Sequence, residues 1–332
     1  MNANPVTEPM LSIRGLKTCF HTRQGLATAV DGLDIDIPRA TTVGLVGESG
    51  CGKSMTAMSV MGLVPEPGRV EAGSILFSGE DLLKKKGAEL RRITGNRISM
   101  IFQEPMTSLN PVKTVGWQVR EAILLHERVS REQARRRVLD IFEQVGIPEP
   151  ERRYGSYPHQ LSGGLRQRVM IGMAMVMTPD LLIADEPTTA LDVTIEAQIL
   201  RLMDQLKREK GTSILMITHN LGVVAEICDT VYVMYAGQVV EQADVYTLFK
   251  RPLHPYTRGL IASLPRMDDK NQRRLSSIPG MVPSLTHMPS GCRFSPRCAQ
   301  ACERCTREAP GLYALDGGQS VRCFLYEKGG AV

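Results

Sequence analysis

At 332 residues with a net charge of +5 spread along its length, the chain can bury one substantial core plus an appendage, and its charge balance does not argue for nucleic acid. No apolar run approaches the ~20 residues that a membrane helix needs, and MNANPVTEPM at the start lacks the basic opening and apolar centre of a secretory signal. The expectation is a cytoplasmic chain. KKK at 84–86 and RRR at 135–137 read as solvated helix faces. In chain order, LSIRGLKTCF (11–20) and ATAVDGLDIDI (27–37) predict an antiparallel β region. TTVGLVG (41–47) reads as a buried strand, and SMTAMSVMGLV (54–64) carries apolar residues at helical spacing. A strand pair around SILFSGEDL (74–82) precedes the apolar strand ISMIF (98–102). From about residue 112 the pattern turns helical. VGWQVREAILLHER (115–128) is followed by SREQARRRVLDIFEQVG (130–146), where Ser130 and Gln133 form a capping box. After LLIADE (181–186) come the helix TIEAQILRLMDQLKREKG, C-capped by Gly211, and the strand SILMIT (213–218). The sequence shows no internal repeat. Strands alternating with helices predict an α/β fold with a mainly parallel sheet.

Two segments carry the chemistry of phosphate. Residues 47–54, GESGCGKS, fit G-x-x-x-x-G-K-[ST] between a strand and a helix. Glycines let the backbone curl so that its N–H groups and the helix N-terminus point at phosphate oxygens. Lys53 adds a charge toward the β and γ phosphates, and the Ser54 hydroxyl reaches Mg2+. The expected ATP-binding set is Gly47, Glu48, Ser49, Gly50, Cys51, Gly52, Lys53, Ser54 and Met55. Farther along, four apolar residues, 181–184, lead into Asp185 and Glu186, as a central strand delivers two carboxylates to the end of a parallel sheet. Asp185 would hold Mg2+ through water and Glu186 would act as general base on the attacking water.

Leu161, Ser162, Gly163 and Gly164 name a family. With the two segments above, the chain resembles the ATP-binding cassette (ABC) ATPases, whose signature is LSGGQ before a basic helix; residue 165 is Leu here in place of Gln. The resemblance implies a RecA-like, mainly parallel core, an antiparallel β subdomain and a helical subdomain at about 104–178. It also implies an ABC-type P-loop ATPase domain over 1–253 and a small Cys-rich extension over 254–332. Ser162 and the Gly163 and Gly164 amides would form a second phosphate-binding surface, one that closes on ATP held by a partner cassette. Gln103 resembles the Q-loop residue that contacts Mg2+ or attacking water. Ala190-Leu191-Asp192 resembles the D-loop at the dimer seam, and His219 the switch histidine that senses the γ-phosphate. Phe20 matches the aromatic that stacks on adenine, with His21 or a merely packed Phe20 as alternatives.

Within that family the chain is similar to the ATPase subunits of bacterial oligopeptide, dipeptide and nickel importers, most of all to D-type dipeptide-importer subunits. The residues are QEPMTSLNP at 103–111, DEPTTALDVT at 185–194 and HPYT at 254–257. The resemblance implies a second ABC ATPase subunit, in a hetero- or homodimer, two transmembrane permease subunits and an extracytoplasmic solute-binding protein. The chain would sit peripherally on the cytoplasmic face of the inner membrane. Nickel or another small solute is the alternative cargo. Rival functions are a soluble ABC ATPase acting on ribosomes or DNA, and a non-hydrolytic ATP-gated clamp; a single cassette argues against the first, and Asp185, Glu186 and His219 against the second.

Five of the eight cysteines lie between 292 and 323. In a reducing compartment a disulfide framework is not expected. Cys292, Cys298, Cys305 and Cys323 fit the C-x5-C-x6-C…C pattern of peptide-importer tails, and that resemblance implies a structural [4Fe-4S] cluster. Cys302 is extra; its C-x2-C with Cys305 keeps Zn2+ as the rival. Cys19 and Cys228 read as small buried hydrophobes. Cys51, beside a helix N-terminus, is expected to be a reactive thiolate whose alkylation blocks ATP binding.

Overall fold

A computed structural model describes residues 8–23, 25–104, 108–189, 191–264 and 278–327. Residues 105–107 of the Gln103 stretch and Ala190 of the expected D-loop lie outside the described residues. The strands are β1 (Leu11–Thr22), β2 (Gly25–Ile37), β3 (Thr42–Val46), β4 (Gly68–Phe77), β5 (Glu80–Asp81), β6 (Ile98–Ile101), β7 (Leu181–Asp185), β8 (Ser213–Thr218), β9 (Thr230–Tyr235), β10 (Gln238–Asp244), β11 (Tyr313–Ala314) and β12 (Ser320–Val321). The chain divides into two compact units, Met1–Leu11, Ile37–Thr42 and Phe77–Met216 in the first, Ser12–Asp36, Val43–Leu76 and Ile217–Val332 in the second.

In the first unit, β6 and β7 run parallel from the pair Ile98 and Leu181 to the pair Ile101 and Ala184, and β8 adjoins β7. Every residue of β6, β7 and β8 is buried, which is why these strands read as mostly apolar runs instead of alternating ones. The helices Val115–His126, Arg131–Gln144 and Gly163–Met175 pack on one another. Val115, Val119 and Ile123 of the first, and Ala134, Val138 and Phe142 of the second, are fully buried at helical spacing. Start signals are local and explicit. Ser130 Oγ accepts from Gln133 N at 3.1 Å while Gln133 Oε1 accepts from Ser130 N at 2.9 Å, the reciprocal capping box. The helix Val193–Lys210 ends at Gly211, which turns left-handed at φ 72.

Charge clusters depart in part from expectation. Lys84 ends a short 3-10 turn and Lys85 follows it outside any helix. Asp81 captures the first at 3.2 Å and Glu80 the second at 2.6 Å, so Lys84 and Lys85 form no helix face. Arg137 does lie on a helix, yet it bonds Glu127 at 2.5 Å and the Val176 carbonyl at 2.9 Å, pinning two segments together.

In the second unit, β3 pairs parallel with β9, and β9 turns back into β10 through Ala236 and Gly237, both at positive φ (44 and 87), the conformation that tight two-residue hairpins require. β12 then pairs antiparallel with β10, placing Val321 opposite Glu241, and β11 pairs with β12. Residues near the C-terminus therefore extend the same sheet. A buried node ties them in: the Glu241 carboxylate accepts from the backbone N–H groups of Leu253 and His254, each at 2.8 Å, and from Gln319 Nε2 at 3.2 Å. Burial pushes its pKa up despite these donors. Tyr235, Tyr256, His254 and Phe294 stack into an aromatic core, with ring centroids 4.7 to 5.6 Å apart.

Candidate nucleotide site and cysteine cavity

The second unit carries the phosphate loop. β3 is buried along its length, delivers the chain to Gly47, and the helix Lys53–Met61 leaves from Gly52. Only glycine fits at either end. A Cβ on Gly47 would stand 2.2 Å from the Met234 carbonyl oxygen, and one on Gly52, at φ 108, 2.4 Å from that of Ala29. Lys53 is buried, its Nζ donating to the Gly47 and Glu48 carbonyls at 2.8 and 3.0 Å, so the ammonium is held at the loop's own mouth. The Thr56 hydroxyl donates to the Gly52 carbonyl at 3.0 Å, and Ser54 and Met55 are half-buried on the first turn.

Cys51 overturns the expectation of a reactive thiolate. It is 0% exposed, its sulfur packed where a Gly47 side chain would go, and burial raises its pKa against the opposing pull of Lys53. Desolvation outweighs the helix N-terminus. Cys19 and Cys228 are buried. Phe20 lies over Gly68, whose Cβ would meet the ring at 2.6 Å; His21 turns to Glu71 at 2.6 Å. His219 is exposed just past β8, ahead of Asn220, which caps the helix Leu221–Ile227.

In the first unit, Asp185 is the buried last residue of β7 and Glu186 follows at φ 48, a left-handed backbone rare for a side chain of this size. Thr189 Oγ1 donates to Glu186 Oε2 at 3.2 Å. Ser162 caps the helix Gly163–Met175, its Oγ accepting from Leu165 N at 3.4 Å, and Ser162 and Gly163 are exposed. Leu161 is buried beneath them. Asp192 caps the helix Val193–Lys210 through Ile195 N at 3.0 Å. Gln103 is exposed beyond β6.

Two glutamines invisible to motif reading organise this unit. Gln167, 1% exposed, lies five residues past Ser162, and its Nε2 donates to the Pro187 carbonyl at 2.6 Å, fixing the turn that follows Glu186 onto the signature helix. Gln118 is buried and bonds Asn110 through both its oxygen and its nitrogen, and the Lys113 carbonyl at 3.0 Å, holding the chain beyond Gln103. Nothing local marks either one: each is a single polar residue inside a helix.

The tail gathers its thiols. Cys292, Cys298, Cys302, Cys305 and Cys323 all line one cavity of about 270 Å³, with His254, Phe294 and Phe324. Cys292 N donates to the Cys305 carbonyl at 2.8 Å, and a Cβ on Gly291 would collide with that same oxygen at 2.3 Å, so the glycine permits the close approach. Burial raises the pKa of Cys292, Cys298, Cys305 and Cys323, the last to about 11. Exposed Cys302 goes the other way, lowered first by the Cys305 backbone N–H, with the two sulfurs 3.5 Å apart. Among the described residues, no three His, Cys, Asp or Glu side chains converge tightly enough to hold a single ion. Also among them, no helix is long and apolar enough to cross a membrane.

A glycine-cradled lysine loop after a buried strand, a buried aspartate with a glutamate after it, and a serine-capped glycine helix start define a P-loop ATPase of the ATP-binding cassette class. Residues 30–189 match the family model "ABC transporter" and residues 240–305 the model "Oligopeptide/dipeptide transporter, C-terminal region". The chain is 50% identical over 323 residues to the oligopeptide transport ATP-binding protein AppD of Bacillus subtilis, covering 97% of this chain and 98% of that one. It is 49% identical over 325 residues to a probable peptide ABC transporter ATP-binding protein of Sinorhizobium fredii, covering 98% and 97%. With the dipeptide transport ATP-binding protein DppD of Bacillus subtilis it shares 47% over 322 residues, covering 97% and 96%. A solved dimeric ATP-binding cassette in a post-hydrolysis state with ADP and Pi superposes with a TM-score of 0.66 at 25% identity, over 71% of this chain and 99% of the other. The chain belongs to the ATP-binding proteins of ABC transporters, in the group that carries the oligopeptide/dipeptide transporter C-terminal region, and it is an ATPase.

Proposed function

We propose that this chain powers the uptake of di- or oligopeptides through a membrane-embedded importer. The observation that carries the reading is 50% identity along nearly the whole chain with an oligopeptide transport ATP-binding protein. In this reading, the loop at 47–55 grips ATP, with Phe20 against the base, while Ser54, Gln103 and Asp185 hold Mg2+. Glu186 orients the attacking water and His219 senses the γ-phosphate. The exposed Ser162 and Gly163 at a helix N-terminus suit contact with a phosphate carried by a second cassette, and Asp192 would lie at that seam. Two cassettes, identical or related, would close on ATP and move two permease subunits between inward- and outward-facing states. A solute-binding protein would deliver cargo outside, and this subunit would sit on the cytoplasmic face.

We propose that the cysteine cavity holds a [4Fe-4S] cluster, as the resemblance to peptide-importer tails implies. Four half-buried thiols, Cys292, Cys298, Cys305 and Cys323, line a space of about 270 Å³, larger than the ~30 Å³ share of one water, and four thiolates are the usual ligand set for such a cluster. When bound, it would supply metal–thiolate crosslinks and no redox step of transport.

The function is tested by uptake of labelled dipeptides, longer peptides and nickel chelates into cells lacking the gene, with wild-type or Lys53→Ala protein restored. Peptide uptake rescued only by the wild type is expected; normal peptide uptake in the deletion strain would defeat the proposal. For the tail, protein purified without oxygen is expected to contain iron and acid-labile sulfide with broad visible absorption, lost on replacing Cys292 and Cys298. Zinc without iron would reject the cluster.

A further inference from the structure

The phosphate loop is gripped from behind by the cysteine-rich tail. Arg297 lies in the short loop between Cys292 and Cys298, and its guanidinium meets the Glu48 carboxylate with both forks, Nη1 to Oε2 at 2.5 Å and Nη2 to Oε1 at 2.9 Å. The arginine side chain is 4% exposed and that of Glu48 27%. Arg297 is itself fixed on every side. Nε donates to the Pro279 carbonyl at 2.9 Å, Nη2 to that of Ile278 at 3.3 Å, and Nη1 to the Tyr235 hydroxyl at 3.4 Å. A second tail residue completes the hold: the Glu48 backbone N–H donates to the Tyr256 hydroxyl at 2.8 Å, and Tyr256 packs against Phe294, three residues before Arg297.

Glu48 is an awkward residue for its position. It follows Gly47 in a loop built to receive polyanionic phosphate, and its carbonyl already holds the Lys53 ammonium. A carboxylate there opposes phosphate unless neutralised and turned away. A planar fork, always charged, does both.

We propose that Arg297 is a positioning residue for nucleotide, neutralising Glu48 and drawing its carboxylate back so that the phosphate loop presents a net positive mouth. This rests on the ATPase reading of the loop. It also makes the loop between Cys292 and Cys298 a structural neighbour of ATP, so a disturbed cysteine cavity is felt as weaker nucleotide binding.

The full chain is titrated with a fluorescent ATP analogue, and KM and kcat are measured separately. Arg297→Ala is expected to weaken binding about tenfold, which corresponds to about 1.4 kcal/mol, and to raise KM for ATP with kcat changed less than about twofold. Because truncation leaves the Glu48 charge unpaired, adding Glu48→Gln to Arg297→Ala should recover most of the affinity. Packing damage alone would not be repaired by removing a charge elsewhere. Should Arg297→Ala prove too unstable to purify, Arg297→Lys and Arg297→Gln with and without Glu48→Gln give the same comparison: the charge-keeping variant should bind better than Arg297→Gln, and only the latter should gain from Glu48→Gln. Unchanged affinity in Arg297→Ala, or no recovery in the double variant, overturns the proposal. Lys53→Ala separates the two levels, since a parent chain that binds no better than Lys53→Ala would strike the ATPase reading itself.

Discussion

Replacing Gln167 by leucine tests how the signature helix and the catalytic turn are joined. Leucine has similar bulk but no donor, so the 2.6 Å bond to the Pro187 carbonyl disappears and a buried acceptor is left without that partner. Stranding such a group costs about 1–3 kcal/mol. The neighbouring Glu186 backbone sits at φ 48, a conformation costing on the order of 1–3 kcal/mol that persists only when surrounding contacts impose it. Losing the Gln167 bond removes one of those contacts, so the turn should relax and carry the Glu186 carboxylate out of line. We expect the melting temperature of the purified chain to fall by about 2–12 °C, at roughly 2–4 °C per kcal/mol for a body of 150–250 residues. In a steady-state ATPase assay kcat should fall by about 10- to 100-fold, the order associated with ångström-scale misplacement of a reacting group. KM should hold, because the phosphate loop is untouched. A Gln167→Leu protein with parental kcat and melting temperature would refute the argument that this bond positions Glu186.

Glu186→Gln should keep ATP affinity while cutting turnover by about 10²- to 10⁴-fold, the usual worth of a general base, with accumulation of a nucleotide-bound dimer on gel filtration; parental phosphate release would remove Glu186 from the role. Under native conditions a maleimide should label Cys302 while sparing Cys51, which reacts only after unfolding in urea; mass spectrometry showing equal rates would contradict the burial of Cys51. Burial depresses the His254 pKa to about 3, below the ~6.5 of an unfolded histidine. The unfolded chain thus binds the extra proton first, and this residue costs stability as pH falls from ~6.5 towards 3, by up to about 1.4 kcal/mol per unit. Denaturant titrations at pH 7, 6 and 5 should show His254→Gln with a shallower acid loss than the parent; parallel curves would sink the assignment.

The elements and motifs were legible wherever the governing physics is local. The Ser130–Gln133 box, the Gly211 cap, the mostly apolar buried strands and the glycine-lysine loop each depend on residues a few positions apart, so the one-dimensional order carries them. Cys51 misled for the same reason: its neighbours announce a helix N-terminus, but its side chain is 0% exposed and its carbonyl accepts from Gly237 N–H at 2.8 Å, a residue far along the chain. Arg297 and Glu48 are 249 positions apart and neither breaks a local rule. Gln167 and Gln118 sit inside ordinary helices, and only the fold shows that each answers a backbone carbonyl. The gathering of the tail cysteines was expected from the resemblance to peptide-importer tails; their shared cavity wall needed Gly291 and the Cys292–Cys305 backbone bond to be seen.

Glu241 gives the tail a meaning beyond its thiols. Its carboxylate is entombed in β10 and accepts from groups that arrive later in the chain, the amides of Leu253 and His254 and the side chain of Gln319, while β12 seals the flank of that strand. Amputating everything after β10 would leave a charge with no donors and a raw sheet margin open to any passing strand. A minimal cassette cut from this protein should therefore precipitate, and any working miniature must keep its stopper.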